Sequence, residues 1–142
     1  MTKNNKIISS LLGLSMFTFG VLKFLNPFKS WYATQIKTSQ LPFQEFLYWS
    51  GQLSEIIVGI IILYLLKKNN KGEVKVQKKL FLFSNFIVIF IMIIATYVHI
   101  QPNVPNEVLP LKIKPPFIPG MFFGLAIINI ILFKKAEKQQ GV

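Results

Sequence analysis

The sequence predicts an all-α integral membrane protein, a four-helix transmembrane bundle that runs up-down-up-down with both termini in the cytoplasm. Three observations lead to this prediction. Hydrophobic residues make up 52% of the 142 residues, four apolar stretches are long enough to cross a bilayer, and lysines collect beside one end of those stretches. The chain has room for a single domain, so residues 1–142 are expected to form one four-span unit.

The apolar stretches have the lengths of transmembrane helices. They cover, approximately, residues 7–26, 44–66, 80–100 and 117–133. A bilayer-spanning helix needs about 20 apolar residues, with a range of about 17–25. The first stretch follows Lys3 and Lys6 as a signal peptide would, but no small-residue cleavage site precedes Lys23. We therefore expect it to be retained as a span.

The distribution of lysines predicts the orientation. All 16 basic residues are lysines, and 11 of them lie at the two termini or between the second and third spans. The positive-inside rule places these three segments in the cytoplasm, in a multi-pass protein of the cell (inner) membrane. The net charge of +11 is thus explained by topology and by the lipid bilayer as partner, and nucleic-acid binding is not expected.

Two segments connect the spans on the opposite side. In residues 27–44, aromatic and aliphatic side chains recur at helical spacing, at Phe28, Trp31, Tyr32 and Ile36. Two interpretations are open: a short amphipathic helix anchored in the interface by Trp31 and Tyr32, or an aromatic-rich loop. Residues 101–116 contain five prolines and predict an extended, non-helical cap.

Three ionisable residues lie inside or at the ends of the spans: Lys23, Glu55 and His99. A charge at membrane depth is costly, so each must be paired, solvated or functional. Glu55 lies deepest, between Gly51 and Gly59 on one helical stripe, and these small residues indicate that the carboxyl faces the bundle interior. We expect a polar pocket in the outer half of the bundle, formed by Lys23, Glu55, His99, Tyr97, Gln52 and Thr96.

Each member of this trio also has a purely structural interpretation. Lys23 can be a lysine whose side chain snorkels to the membrane interface. His99 can be an interfacial histidine that binds no ligand. Glu55 is too deep to snorkel, and its structural alternative is an ion pair or hydrogen bond that only fixes helix packing. If the pair is structural, removing Lys23 alone is expected to cost more stability than removing both partners.

Other polar and small residues predict helix packing. Gly120 and Gly124 form a small-xxx-small pattern at the start of the fourth span. Asn85 and Asn129 are expected at similar depths, where an amide hydrogen bond between the third and fourth spans explains both.

The composition excludes several chemistries. The chain has no cysteine, and its sequence contains no aspartate and one histidine. A thiol–disulfide relay is therefore excluded, no metal site is expected, and no catalytic residue can be assigned. Any redox role has to come from a bound cofactor or a partner protein.

Two segments resemble the first two helices of the DoxX-like membrane proteins. They are LLGLSMFTFGVLKFLNP, residues 11–27, and GQLSEIIVGIIIL, residues 51–63, in which Gly20, Lys23 and Glu55 match the family pattern. The arginine that many members carry early in the first helix is absent. The resemblance implies an inner-membrane protein of four spans with an outer-leaflet polar pocket.

The resemblance and the buried acid together give the functional expectation. The pocket is expected to bind a quinone-like or other small hydrophobic, amphipathic ligand, with no cofactor covalently bound, as an accessory to a redox or stress-related process. Two alternatives remain: a non-catalytic assembly partner or chaperone of another membrane protein, and a small exporter that works as a homo-oligomer. Under these hypotheses the chain is expected to be an accessory or ligand-binding membrane protein rather than a stand-alone enzyme.

Overall fold

The computed structural model describes residues 3–67 and 74–139. These residues form five α-helices: α1 (Lys3–Leu22), α2 (Phe28–Thr38), α3 (Gln44–Lys67), α4 (Val74–Ile100) and α5 (Phe117–Gln139). Helices α1, α3, α4 and α5 are each long and apolar enough to cross a membrane. The predicted all-α fold with four membrane-spanning helices is therefore confirmed.

The four spans close into a ring. Helix α1 packs against α3 and α5, and α4 packs against the same two helices. The interior is filled by apolar side chains from all four spans, namely Leu12, Met16, Val58, Ile62, Val88, Met92, Phe122 and Ala126. Large apolar side chains such as Phe86, Phe90 and Ile131 are exposed on the outside, as expected for helices surrounded by lipid.

The helices differ from the apolar stretches at their ends. Helix α1 stops at Leu22 instead of Asn26, because the chain turns there into α2 and Pro27 cannot continue the helix. Helices α4 and α5 run past their apolar stretches, to Val74 and Gln139. The added turns contain lysine, glutamine, alanine and glutamate, which favour helix in water beyond the apolar core.

The two ends of the bundle are built differently. We call the end that carries α2 and residues 101–116 the capped end, and the opposite end the lysine-rich end. The cap segment, residues 101–116, is not fully extended as predicted, since it forms two 3₁₀ turns at Asn106–Val108 and Pro110–Lys112. Its Val104 and Leu109 are buried against Val98 of α4, which fixes the segment to the bundle.

Glycines bring α1 and α3 into close contact. A Cβ atom on Gly59 would lie 2.5 Å from the backbone nitrogen of Phe17, and one on Gly20 would lie 2.6 Å from the Ile56 side chain. A Cβ atom on Gly51 would meet the hydroxyl of Tyr32 in α2. These three glycines therefore lie at helix contacts, as the sequence predicts.

The predicted packing role of Gly120 and Gly124 needs correction. Apart from the adjoining residues of α5 itself, no atom of the described chain lies within 4 Å of a Cβ atom built on either residue. The apolar residues of α5 that are buried in the core are Phe122, Ala126, Ile130 and Ala136. Since the glycines lie on other faces of the helix, they do not hold the bundle together.

A buried amide network joins three spans in the lysine-rich half. The predicted hydrogen bond is present, because the Asn129 Nδ2 donates to Asn85 Oδ1 at 3.1 Å. The same amide nitrogen donates to Ser9 Oγ at 2.9 Å, and Asn5 Nδ2 donates to the Asn129 carbonyl at 2.9 Å. Asn5 and Ser9 were not predicted as partners, and they make α1 part of the network.

Candidate functional site

An ion pair between α1 and α3 lies in the capped half of the bundle. Lys23 follows the last residue of α1, and its Nζ lies 2.5 Å from Oε1 of Glu55. The Glu55 side chain is 7% exposed and that of Lys23 is 20% exposed. The close approach of the two helices at Gly20, three residues before Lys23, sets the distance across which the lysine reaches. The predicted pairing and the interior position of Glu55 are both confirmed.

Tyr32 of α2 completes the surroundings of the ammonium group. The Lys23 Nζ lies 4.1 Å from the centroid of the Tyr32 ring, a cation–π geometry. The hydroxyl of Tyr32 donates to the backbone carbonyl of Leu47 at 3.2 Å, and its ring stacks on Tyr48 with centroids 5.3 Å apart. The Lys23 ammonium therefore contacts a carboxylate and an aromatic face.

The protonation state of Tyr32 follows from its position. Burial of the side chain, with a smaller contribution from the Glu55 carboxylate, raises the pKa of Tyr32 above its ordinary value. Both effects disfavour a phenolate in this place. Tyr32 is thus a neutral phenol at physiological pH, and its hydroxyl keeps its proton for the bond to Leu47.

A cavity of about 470 Å³ opens beside the ion pair. Its walls come from α1, α2, α4, α5 and the cap segment, and Glu55 is the residue that α3 contributes. Most of the lining is apolar, including Met16, Phe19, Met92, Ile118, Pro119 and Phe122. The polar residues in the wall are Lys23, Tyr32, Gln35, Glu55, His99 and Lys112. The wall is thus mostly apolar, with charged side chains at the Lys23–Glu55 pair and at Lys112 of the cap segment.

His99 lines the cavity from α4. It is buried, and its Nδ1 lies 2.8 Å from the carbonyl oxygen of Ala95 one turn earlier. A carbonyl only accepts hydrogen bonds, so Nδ1 carries the proton in this contact. In the neutral imidazole, Nε2 is then left as a hydrogen-bond acceptor.

The remaining predicted pocket residues are placed elsewhere. Thr96 is half-buried and Tyr97 is 39% exposed, and neither forms part of the cavity wall. The α4 residues in the wall are Met92, Ala95 and His99, which form one stripe of the helix. At about 100° per residue, Tyr97 lies roughly 160° from the middle of this stripe and Thr96 roughly 60° from it. The structure does not bring Thr96 and Tyr97 together with the ion pair.

Gln52 occupies a different position from the one predicted. It lies one turn before Glu55 on α3 and is fully buried, but it does not line the cavity. Its backbone oxygen is at the close contact with Gly20, which places the residue against α1. Neither atom of its side-chain amide has a hydrogen-bond partner.

The sequence interpretation missed the wall contributed by α2. The helix itself was one of the two open interpretations, and the structure selects it. Tyr32 and Ile36, however, are buried against the bundle and do not anchor the protein in the membrane interface. Their spacing of four residues was the available signal, since it marks one face of a helix that packs against other elements.

The donor set does not suit a metal ion. In residues 3–67 and 74–139, no three His, Asp or Glu side chains converge as metal ligands. The described site consists of an ion pair, a histidine side chain and a large, mostly apolar cavity.

Fold and site together define a multi-pass membrane protein with four spans and an internal cavity beside a buried ion pair. No family model, curated protein or solved structure matches the chain. The function must therefore be argued from the site.

Proposed function

We propose that the protein is a ligand-binding protein of the cell (inner) membrane that holds a small amphipathic molecule with a quinone-type head group in the cavity. The observation that carries this proposal is that the Lys23–Glu55 ion pair lines a cavity whose walls are mostly apolar. Small-molecule sites typically measure about 300–1,000 Å³ and combine apolar walls with a few polar groups that orient the ligand. The volume of about 470 Å³ falls within that range.

Each group has a role in this proposal. The head group lies at Glu55, whose carboxyl accepts or donates a proton, while the charge of Lys23 holds the carboxylate in place. His99 borders the head group, and the tail lies along Phe19 and Phe122. The sequence has no cysteine for thiol–disulfide chemistry, so any redox chemistry comes from the bound ligand or a partner, and in this proposal the protein is an accessory to a redox or stress-related process.

The resemblance of residues 11–27 and 51–63 to DoxX-like proteins supports the same proposal, since it covers the residues of the ion pair. The lysine distribution supports a cytoplasmic lysine-rich end. In that orientation the cavity lies in the outer leaflet, where lipid-soluble ligands are present.

Binding of a short-tailed menaquinone analogue, in oxidised and reduced form, tests the proposal. Trp31 lines the cavity and Trp49, the second of the two tryptophans, does not, so W49F leaves one reporter at the site. We expect a saturable change in Trp31 fluorescence with at least one form. In Glu55→Gln the Kd should rise at least about tenfold, because a hydrogen bond to a charged group is lost.

Glu107→Gln is the matched control, because Glu107 is exposed on the cap segment and does not line the cavity. It should bind as the parent does. Absence of saturable binding by either form, or equal affinity in Glu55→Gln, would remove the proposed function.

A second candidate function is that of an assembly partner for another membrane protein or a second copy of the chain. It is favoured by the glycines on α5, since Gly120 and Gly124 meet no other described atom within 4 Å. Small residues on a lipid-facing surface allow another helix to approach closely. In this case the ion pair only stabilises the bundle.

Crosslinking in native membranes distinguishes this candidate. A stoichiometric partner should be captured by the parent and lost in Gly124→Leu, because the added side chain separates the helices. Phe90→Leu, at an exposed position on α4, is the control and should retain the partner. No captured partner, or capture that is unaffected by Gly124→Leu, contradicts the assembly role.

A further inference from the structure

Three hydrogen-bond donors around the cavity are engaged within the protein. Lys23 donates to Oε1 of Glu55, and the Tyr32 hydroxyl donates to the carbonyl of Leu47. The side-chain amide of Gln35 donates to the carbonyl of Val108 in the cap segment. Lys112 and Trp31 also line the cavity and carry N–H donors, so the donors alone do not determine which ligands the site prefers.

One buried acceptor beside the cavity lacks a partner. Oε2 of Glu55 is buried and has no hydrogen-bond partner. In the neutral imidazole of His99, Nε2 is a further acceptor, since Nδ1 then carries the proton that is donated to Ala95. An ionised oxygen that is buried without a partner is costly, so the site is incomplete without a donor.

From this unpartnered carboxylate oxygen we infer that the cavity selects ligands whose head group carries a neutral hydroxyl, as in a phenol or a quinol. The inference rests on the proposed function and specifies its ligand class. The hydroxyl hydrogen is donated to Oε2 of Glu55. The hydroxyl oxygen accepts one of the Lys23 protons that is not used in the ion pair. One small group thereby satisfies both members of the pair.

Two other head groups fit less well. An ether or a carbonyl oxygen accepts from Lys23 but has no proton for Glu55, so it leaves Oε2 unpaired and places one acceptor near another. An ammonium head donates to Glu55 but is repelled by the Lys23 ammonium, which lies 2.5 Å from the same carboxylate. A neutral donor avoids both conflicts.

A matched pair of probes isolates this effect. 4-Nonylphenol and 4-nonylanisole share ring and tail, and differ in that a methyl group replaces the hydroxyl hydrogen. Their affinities for purified W49F protein can be measured by Trp31 fluorescence, with correction for partition into detergent. We expect the phenol to bind at least about tenfold more tightly, as a hydrogen bond to a charged acceptor implies.

The preference should depend on the ion pair. In Glu55→Gln it should fall, and in Lys23→Met/Glu55→Gln, which leaves no unpaired charge, it should largely disappear. The exposed Glu107→Gln control should keep it in full. Equal affinities for phenol and ether in the parent, or a preference unchanged in the double variant, would overturn the inference while leaving ligand binding intact. If neither probe binds saturably, the proposed function fails, and the inference fails with it.

Discussion

Replacing Lys23 by Met should lower the free energy of unfolding by about 3 kcal/mol, because it leaves the buried Glu55 carboxylate without its cation. The loss is set at the lower end of the range for broken buried pairs, since the Lys23 side chain keeps 20% of its surface exposed. Replacing Lys23 by Met and Glu55 by Gln together should cost clearly less, because the double variant has no uncompensated charge at this depth.

Thermal unfolding in detergent, followed by circular dichroism, measures both effects. Lys37→Met provides the control, because Lys37 is an exposed lysine at the end of α2 on the same side of the bundle. It should change the unfolding temperature little. A double variant that unfolds at or below the temperature of Lys23→Met would show that the two charges do not depend on each other for stability.

Replacing Gly59 by Ala should destabilise the bundle by about 1–3 kcal/mol, the usual cost of forcing extra atoms into a packed interior. The added methyl group would lie 2.5 Å from the backbone nitrogen of Phe17 and 2.8 Å from the carbonyl oxygen of Gly13. These are backbone atoms of α1 and cannot move aside like the end of a side chain. Helices α1 and α3 therefore have to separate.

Gly120→Ala is the matched substitution, since a methyl group at that position meets nothing in the described structure within 4 Å. We expect the unfolding temperature of Gly120→Ala to stay close to that of the parent protein. The packing argument predicts a difference between the two glycines, so similar unfolding temperatures for both variants would refute it.

The four spans and the ion pair were predictable because each follows from a large energetic constraint. Backbone groups in hydrocarbon must be satisfied within a helix, which makes long apolar stretches easy to recognise. A carboxylate at the depth of Glu55 must find a cation or a donor, and the sequence places Lys23 near the outer end of the first span, from which its long side chain can reach inward. Such constraints act on single residues and do not require knowledge of the tertiary structure.

The cavity wall was not predictable in the same way. Whether Tyr32 faces lipid or protein depends on how α2 folds back over the bundle, and the sequence pattern of α2 is compatible with both. Thr96 was grouped with His99 because it lies one turn before it, and Tyr97 because it is near both along the chain. Tyr97 lies on another face of α4 and Thr96 beyond the edge of the stripe that lines the cavity, so the rotation of α4 determined which residues reached it.

The contacts of small and weakly polar residues can be predicted only when the rotation of each helix about its axis is known. The same pattern of spaced glycines marks a tight contact at Gly59 and an open surface at Gly120. Asn129 was correctly paired with Asn85, yet Asn5 and Ser9 belong to the same network at the opposite end of the sequence. Contacts that join distant segments in this way leave no periodic signal in the chain.

The Lys23–Glu55 pair also determines how the site responds to the electric field across the bilayer. A single elementary charge moved through 100 mV changes in energy by about 2.3 kcal/mol. The two opposite charges lie 2.5 Å apart, so together they carry no net charge for the field to act on. Binding of an uncharged ligand, as proposed, would then move no net charge through that field, and its affinity would not depend on the membrane potential.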